Sequence, residues 1–147
     1  MIIDSHCHLT YEPMSNALKE TIDRANRDGI KYMLTISTED KSFGQILKIV
    51  NDFKSVYGTY GIHPHEAKSH QHIKSADIIN KVNQNKKIIG VGETGLDFYY
   101  NHSEKRDQIY SFEEHITAAQ EKNLPLIVHT RSAEKETLQI LEKHSKK

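Results

Sequence analysis

The chain has a single cysteine, Cys7, and no tryptophan. One thiol closes no intrachain disulfide and builds no cysteine cage, so a disulfide-framed scaffold and a zinc-finger type of site are both excluded. Only three prolines and seven glycines are present, and their scatter excludes a fibrous repeat or a Pro/Gly-rich disordered chain. No apolar run approaches the roughly eighteen residues that a membrane-spanning helix requires. The opening Met1-Ile2-Ile3-Asp4-Ser5-His6 has no basic leading segment and reads as a strand, not a signal peptide. The expected compartment is the cytoplasm, with no membrane partner. Net charge is lacking as well: twenty Lys and Arg offset twenty Asp and Glu, for a formal charge of zero. That excludes a basic coat for nucleic acid but leaves room for a local phosphate site.

What is present in excess is histidine, ten residues in a chain of 147, and most of them are clustered. The length suits one domain. Short apolar runs start at Ile2, Ile30, Val56, Ile88 and Leu124, and the readings are Ile30 to Ile36, Val56 to Tyr60, Ile88 to Val91 and Leu124 to Val128 for the last four. Between them lie helical stripes: Ala17, Leu18, Thr21, Ile22 and Ala25, then Phe43, Ile46, Leu47, Val50 and Phe53. Ile73, Ile78, Ile79 and Val82 make a weaker third. Ile109, Phe112, Ile116 and Ala119 make a clear fourth, and Leu138 with Leu141 begins a fifth. Pro13 stands where the first helix would start and Gly29 where it would stop. A strand–helix unit repeated in this way predicts an α/β fold with a mainly parallel sheet. Two architectures compete, a complete five-stranded doubly wound sheet and the first five units of a (β/α)8 barrel.

In either fold, ligands bind beyond the C-terminal ends of the strands. Those positions carry His6 and His8, His63 and His65, Glu93, and His129 followed by Arg131. In an extended strand end, His6 and His8 project to the same side and Cys7 points away, so two imidazoles are placed to share an ion. Nitrogen and oxygen donors of this kind suit Zn, Fe, Mn, Co and, less well, Mg. Glu93 is surrounded by Gly90, Gly92 and Gly95, which permit close backbone approach, and a carboxylate held there can bridge two cations. Asp97 is positioned to support the ligands or to cap a turn. Arg131 can pair bidentately with a phosphate or sit in a surface salt bridge. His63 and His65 flank Pro64 and can meet a phosphate, a metal's water or a proton in transfer. His70, His72, His102, His115 and His144 are read as surface residues.

Taken together, the stretches Asp4-Ser5-His6-Cys7-His8-Leu9, Gly61-Ile62-His63-Pro64-His65 and Gly90-Val91-Gly92-Glu93-Thr94-Gly95-Leu96-Asp97 resemble the TatD family of metal-dependent deoxyribonucleases. Gln108 with Phe112, and Leu124 through Ala133, continue the resemblance, which covers almost the whole chain in order. It implies a (β/α)8 TIM barrel of the amidohydrolase-like group, of which residues 1–147 would be an incomplete portion. It implies His6 and His8 as ligands of one metal, Glu93 as the catalytic carboxylate bridging both, and His129 as a ligand of the second. His63, His65 and Arg131 would be substrate-side residues. The implied cofactors are two divalent ions (Mg, Mn or Zn), and the implied substrate is DNA.

The family pattern continues with another ligand His after strand six and an Asp near the attacking water. This chain stops at Lys147, after the fifth helix, and Ser132 stands where an acidic residue is common. The expectation is therefore a truncated barrel with two open sheet edges. A second polypeptide or self-association would complete it, and the alternatives are an inactive metal-binding fragment or a related barrel hydrolase of another substrate class.

Overall fold

In the computed structural model, which describes residues 1–145, strand and helix alternate from end to end. The strands are β1 (Ile2–Cys7), β2 (Ile30–Thr35), β3 (Val56–Tyr60), β4 (Ile88–Asp97) and β5 (Leu126–Arg131). The helices are α1 (Leu18–Arg27), α2 (Phe43–Asp52), α3 (Ser75–Val82), α4 (Lys105–Lys122) and α5 (Glu134–Ser145). Of the tail Lys143 to Lys147, read from sequence as the end of the fifth helix, the last two lysines lie outside the described residues.

Each strand lies beside its predecessor in the order β1-β2-β3-β4-β5, and all four pairings are parallel. A doubly wound sheet reverses its strand order at a switch point. No reversal occurs here, so the sheet is the wall of a half-barrel. Helices cover one face. Ile46, Ile49 and Val50 of α2 pack with Val56 and Tyr60 of β3 and with Ile78 and Val82 of α3 in the main core. Phe112 and Ile116 of α4 join Leu96, Ala133 and Ile140 in a second cluster. Each such large side chain contributes roughly 1.5–3 kcal/mol by leaving water. On the other face Ile3, Tyr32, Leu34, Tyr57 and Ile89 line an apolar groove.

Three boundaries and one helix face differ from the sequence reading. Pro13 precedes a single 3-10 turn at Ser15–Ala17, and α1 begins only at Leu18. Gly29 does end that helix, at φ +96°, where a side chain would be strained. β5 begins at Leu126, not Leu124, because Pro125 has no N–H to give the sheet. Its carbonyl accepts instead from Val91 N at 2.9 Å. On α5 the inward residues are Thr137, Ile140 and His144, while Leu138 is 60% exposed.

The fourth difference shapes the site. β4 runs to Asp97, six residues past the apolar run that ended at Val91. After a register shift, Thr94, Gly95, Leu96 and Asp97 pair with Val128, His129, Thr130 and Arg131. Gly95 adopts φ +135°, and a Cβ there would overlap the His129 carbonyl. Only glycine lets β4 and β5 approach so closely at this point, two residues past Glu93.

Candidate metal centre

Beyond the C-terminal ends of the strands lies a cavity of about 450 Å³ whose lining includes His6, His8, His63, His65 and Glu93. Glu93 is at its centre. Its Oε2 lies 3.4 Å from His6 Nε2, and its Oε1 lies 3.3 Å from His129 Nδ1. The two carboxylate oxygens therefore face imidazoles on opposite sides. Two groups of donors share Glu93: His6 with His8, and His63 with His129, the donor atoms of each group lying within 4.8 Å of one another. This nitrogen-and-oxygen donor set fits a pair of borderline divalent cations. His8 Nδ1 is buried without a hydrogen-bond partner, as a nitrogen in a ligand cluster can be.

The cluster is held from several elements. Ser37 and Thr38, just past β2, accept from Glu93 N and His63 N, each at 2.8 Å. Tyr11 stacks on His8 with ring centroids 4.9 Å apart, and its hydroxyl is 2.6 Å from Thr38 Oγ1. Asp97 is 1% exposed. One of its oxygens meets His65 Nε2 at 2.7 Å and His129 Nε2 at 3.2 Å. Its other oxygen accepts from the backbone N–H groups of Tyr99 and Tyr100, both at 3.1 Å. Gln108 in turn clasps the Asp97 backbone, accepting from its N at 2.7 Å and donating to its O at 3.0 Å. When His129 gives its Nε2 proton to Asp97, its bare Nδ1 faces Glu93 and His63. This is the arrangement by which a carboxylate orients a metal-binding imidazole.

The electrostatics follow from these contacts. Burial pulls the Asp97 carboxyl upward, but the Tyr100 N–H and the His65 and His129 rings outweigh it and hold it well below the usual range. Burial likewise works against ionised Glu93, yet its bond to His129 and the nearby His63 and His6 keep it lowered. His129 is raised, chiefly by Glu93. Burial pushes His63 down to about 4, with His129 adding to the effect, and also lowers His8. The centre thus favours ionised Glu93 and Asp97, with burial favouring neutral His63 and His8 beside them and the carboxylates favouring the charged form of His129.

Of the residues singled out from sequence, His6, His8, His63, His65 and Glu93 line one cavity, and His129 reaches Glu93 from β5. Cys7 turns towards the core, its thiol donating to Leu34 O at 3.3 Å. His63, expected on the substrate side, offers a ring nitrogen within 4.8 Å of donor atoms of Glu93 and His129. Arg131 is not among the cavity-lining residues. Its guanidinium lies over the rings of Tyr99 and Tyr100, at 4.3 and 4.6 Å. Asp97 both supports the imidazoles and caps the following turn. Two of the five histidines read as surface residues are in fact buried. His115, 1% exposed, accepts from Ile62 N at 3.0 Å and so fixes the loop that carries His63. His144, 7% exposed, is packed beside Glu113 of α4. His115 falls at helical spacing on the stripe of Phe112, Ile116 and Ala119, which was a legible signal. The polar Ser37-Thr38-Glu39 just past β2 was another, since the same strand-end rule applies there.

Residues 3–147 match the family described as TatD related DNase. A protein of Buchnera aphidicola subsp. Baizongia pistaciae named as a metal-dependent hydrolase is 32% identical over 151 residues, covering 99% of this chain and 56% of that relative. The 3'-5' ssDNA/RNA exonuclease TatD of Salmonella typhimurium is 28% identical over 141 residues, covering 96% and 54%. The chain thus spans about half the length of the curated relatives it matches. Among solved structures, YjjV, a TatD homologue of Escherichia coli, superposes with a TM-score of 0.88 at 26% identity, covering 97% of this chain and 56% of that one. A TatD family hydrolase of Entamoeba histolytica, at 20% identity and a TM-score of 0.89, shares the fold. Nearly every residue of this chain, the histidine-rich strand ends included, falls within the match, and the chain belongs to the TatD-related DNase family.

Proposed function

We propose that this chain carries the two-cation centre of a hydrolase that cleaves phosphodiester bonds of nucleic acid, with DNA as the substrate. The observation that carries the reading is Glu93, whose two oxygens face His6 and His129 separately. Divalent cations bound there, Mg, Mn or Zn, would supply an activated water and stabilise charge on the phosphoryl group. His6 and His8 would hold one ion and His129 the other, with His63 in reach of the second. Asp97 keeps the His129 ring turned so that Nδ1 faces Glu93. His65 is tied to Asp97 at 2.7 Å and would stand on the substrate side, where an imidazole N–H can donate to a phosphate oxygen. Arg131 follows His129 by two residues, and its planar guanidinium, held over the Tyr99 and Tyr100 rings, would meet a phosphate of the strand. Family membership and the nuclease named among the relatives support this substrate class. Among the described residues no helix is long and apolar enough to cross a membrane.

The test is hydrolysis of end-labelled single-stranded DNA by the purified chain, with Mg, Mn and Zn supplied separately. Turnover that requires the metal, stops with chelator and is abolished in Glu93→Gln is the expected result. Turnover unaffected by chelator or by Glu93→Gln would overturn the reading.

A further inference from the structure

The aromatic corner beside the metal centre has no part in the chemistry above. Tyr99 and Tyr100 are 59% and 49% exposed, although large aromatic side chains ordinarily find cover. Their rings meet edge to face at 4.8 Å. The Arg131 guanidinium lies over both, and His102 stacks parallel to Tyr100 at 5.7 Å between centroids. The corner is continuous with the centre, because His65 is 5.6 Å from the Tyr100 ring and 4.6 Å from the His102 ring. It is also rigidly tied to it: the Asp97 carboxylate that holds His65 and His129 accepts from the N–H groups of both tyrosines.

We infer that Tyr99, Tyr100 and His102, with Arg131 packed against the tyrosine rings, form a stacking platform for unpaired nucleobases of a single strand whose phosphate lies in the metal centre. The inference rests on the proposed phosphodiester hydrolysis for the direction in which the strand runs, but the platform itself is a binding site. Exposed aromatic faces recognise bases without regard to sequence, because every base has a π-face. Duplex DNA keeps its faces stacked on one another and offers none to the tyrosines. The planar arginine already held against two rings is the cation such a platform uses to meet the neighbouring phosphate. With zero net charge on the chain, stacking supplies grip that a basic surface would otherwise give.

The experiment uses the intact 147-residue chain in chelator, so that neither cleavage nor metal contributes. Fluorescence anisotropy follows binding of a labelled oligo-dT strand, an abasic strand of equal length and a duplex. Oligo-dT binding should exceed both others and should weaken by about tenfold or more in Tyr99→Leu/Tyr100→Leu, as loss of stacked bases implies. Tyr99→Phe/Tyr100→Phe, which keeps the rings, should bind as the parent does. Circular dichroism of the leucine variant confirms that the fold is retained. Equal affinity for abasic and oligo-dT strands, absence of oligo-dT binding, or a leucine variant that is folded and binds as tightly as the parent would each overturn the inference. Tyrosine-dependent binding in a chain that hydrolyses nothing would sink the hydrolase reading and leave the platform standing.

Discussion

One carboxylate, Asp97, makes four contacts that join the metal centre to the loop behind it. Changing it to Asn keeps an oxygen for the Tyr99 and Tyr100 N–H groups but presents an amide to His65 and His129. The fold should survive. Affinity for Mn(II), followed by calorimetric titration, should drop by roughly ten- to a hundredfold, as expected when the group orienting a ligand imidazole is lost. Unchanged affinity would mean that His129 is held by its backbone alone. His115 supports a second prediction. Burial lowers it to about 4, and its Nε2 must stay unprotonated to accept from Ile62 N. Since the folded value lies below the unfolded one, the contribution to stability is complete above about pH 6.5 and is lost as pH falls towards 4. Between pH 7 and pH 5 the loss should be about 2 kcal/mol in urea unfolding. His115→Gln, which cannot titrate, should flatten that slope, and an unchanged slope would assign it to other groups. At this scale the His6-Cys7-His8 spacing and Glu93 among its glycines were readable, because strand alternation and strand-end position fix them locally. Asp97, Thr38 and His115 act on residues far away in sequence, so their partners were not readable.

Among the elements, β4 does the most to build the centre. Its apolar run announced only four residues, and glycines at positions 90, 92 and 95 hid the remainder from any periodicity. The strand continues because those glycines let backbone approach backbone. At Gly61, after β3, a Cβ would overlap the backbone of Gly92. Gly61→Ala should therefore push the His63 loop away from β4, lowering stability by about 1–3 kcal/mol, as overpacking does. The urea midpoint measures this, and a midpoint equal to the parent's would show that the contact relaxes freely. The helices were more legible than the strands, since α2 and α4 follow stripes of apolar residues nearly to their ends. The strand order was not legible from the apolar pattern, and only the family resemblance pointed to the barrel order that the sheet shows. By pattern alone, five strand–helix units fit a doubly wound sheet as well as a half-barrel, because periodicity does not encode which strands pair.

For the molecule as a whole, the balance of charge limits how it meets nucleic acid. Few phosphates can be neutralised by a surface with zero net charge, so binding of single strands should depend weakly on salt. A log–log slope shallower than about −2 is expected, and a steep slope would reveal a basic track that the sequence does not display. The half-barrel gathers donors from β1, β3, β4 and β5 onto one end of the sheet, and the account stands on Glu93 being shared between two ions there. Equilibrium dialysis against Mn(II), with metal analysis of the parent, Glu93→Gln and His6→Ala, tests this most directly. The account predicts two ions per chain in the parent, one retained in His6→Ala, and both weakened in Glu93→Gln. A single ion in the parent, or two ions held as tightly in Glu93→Gln, would contradict it.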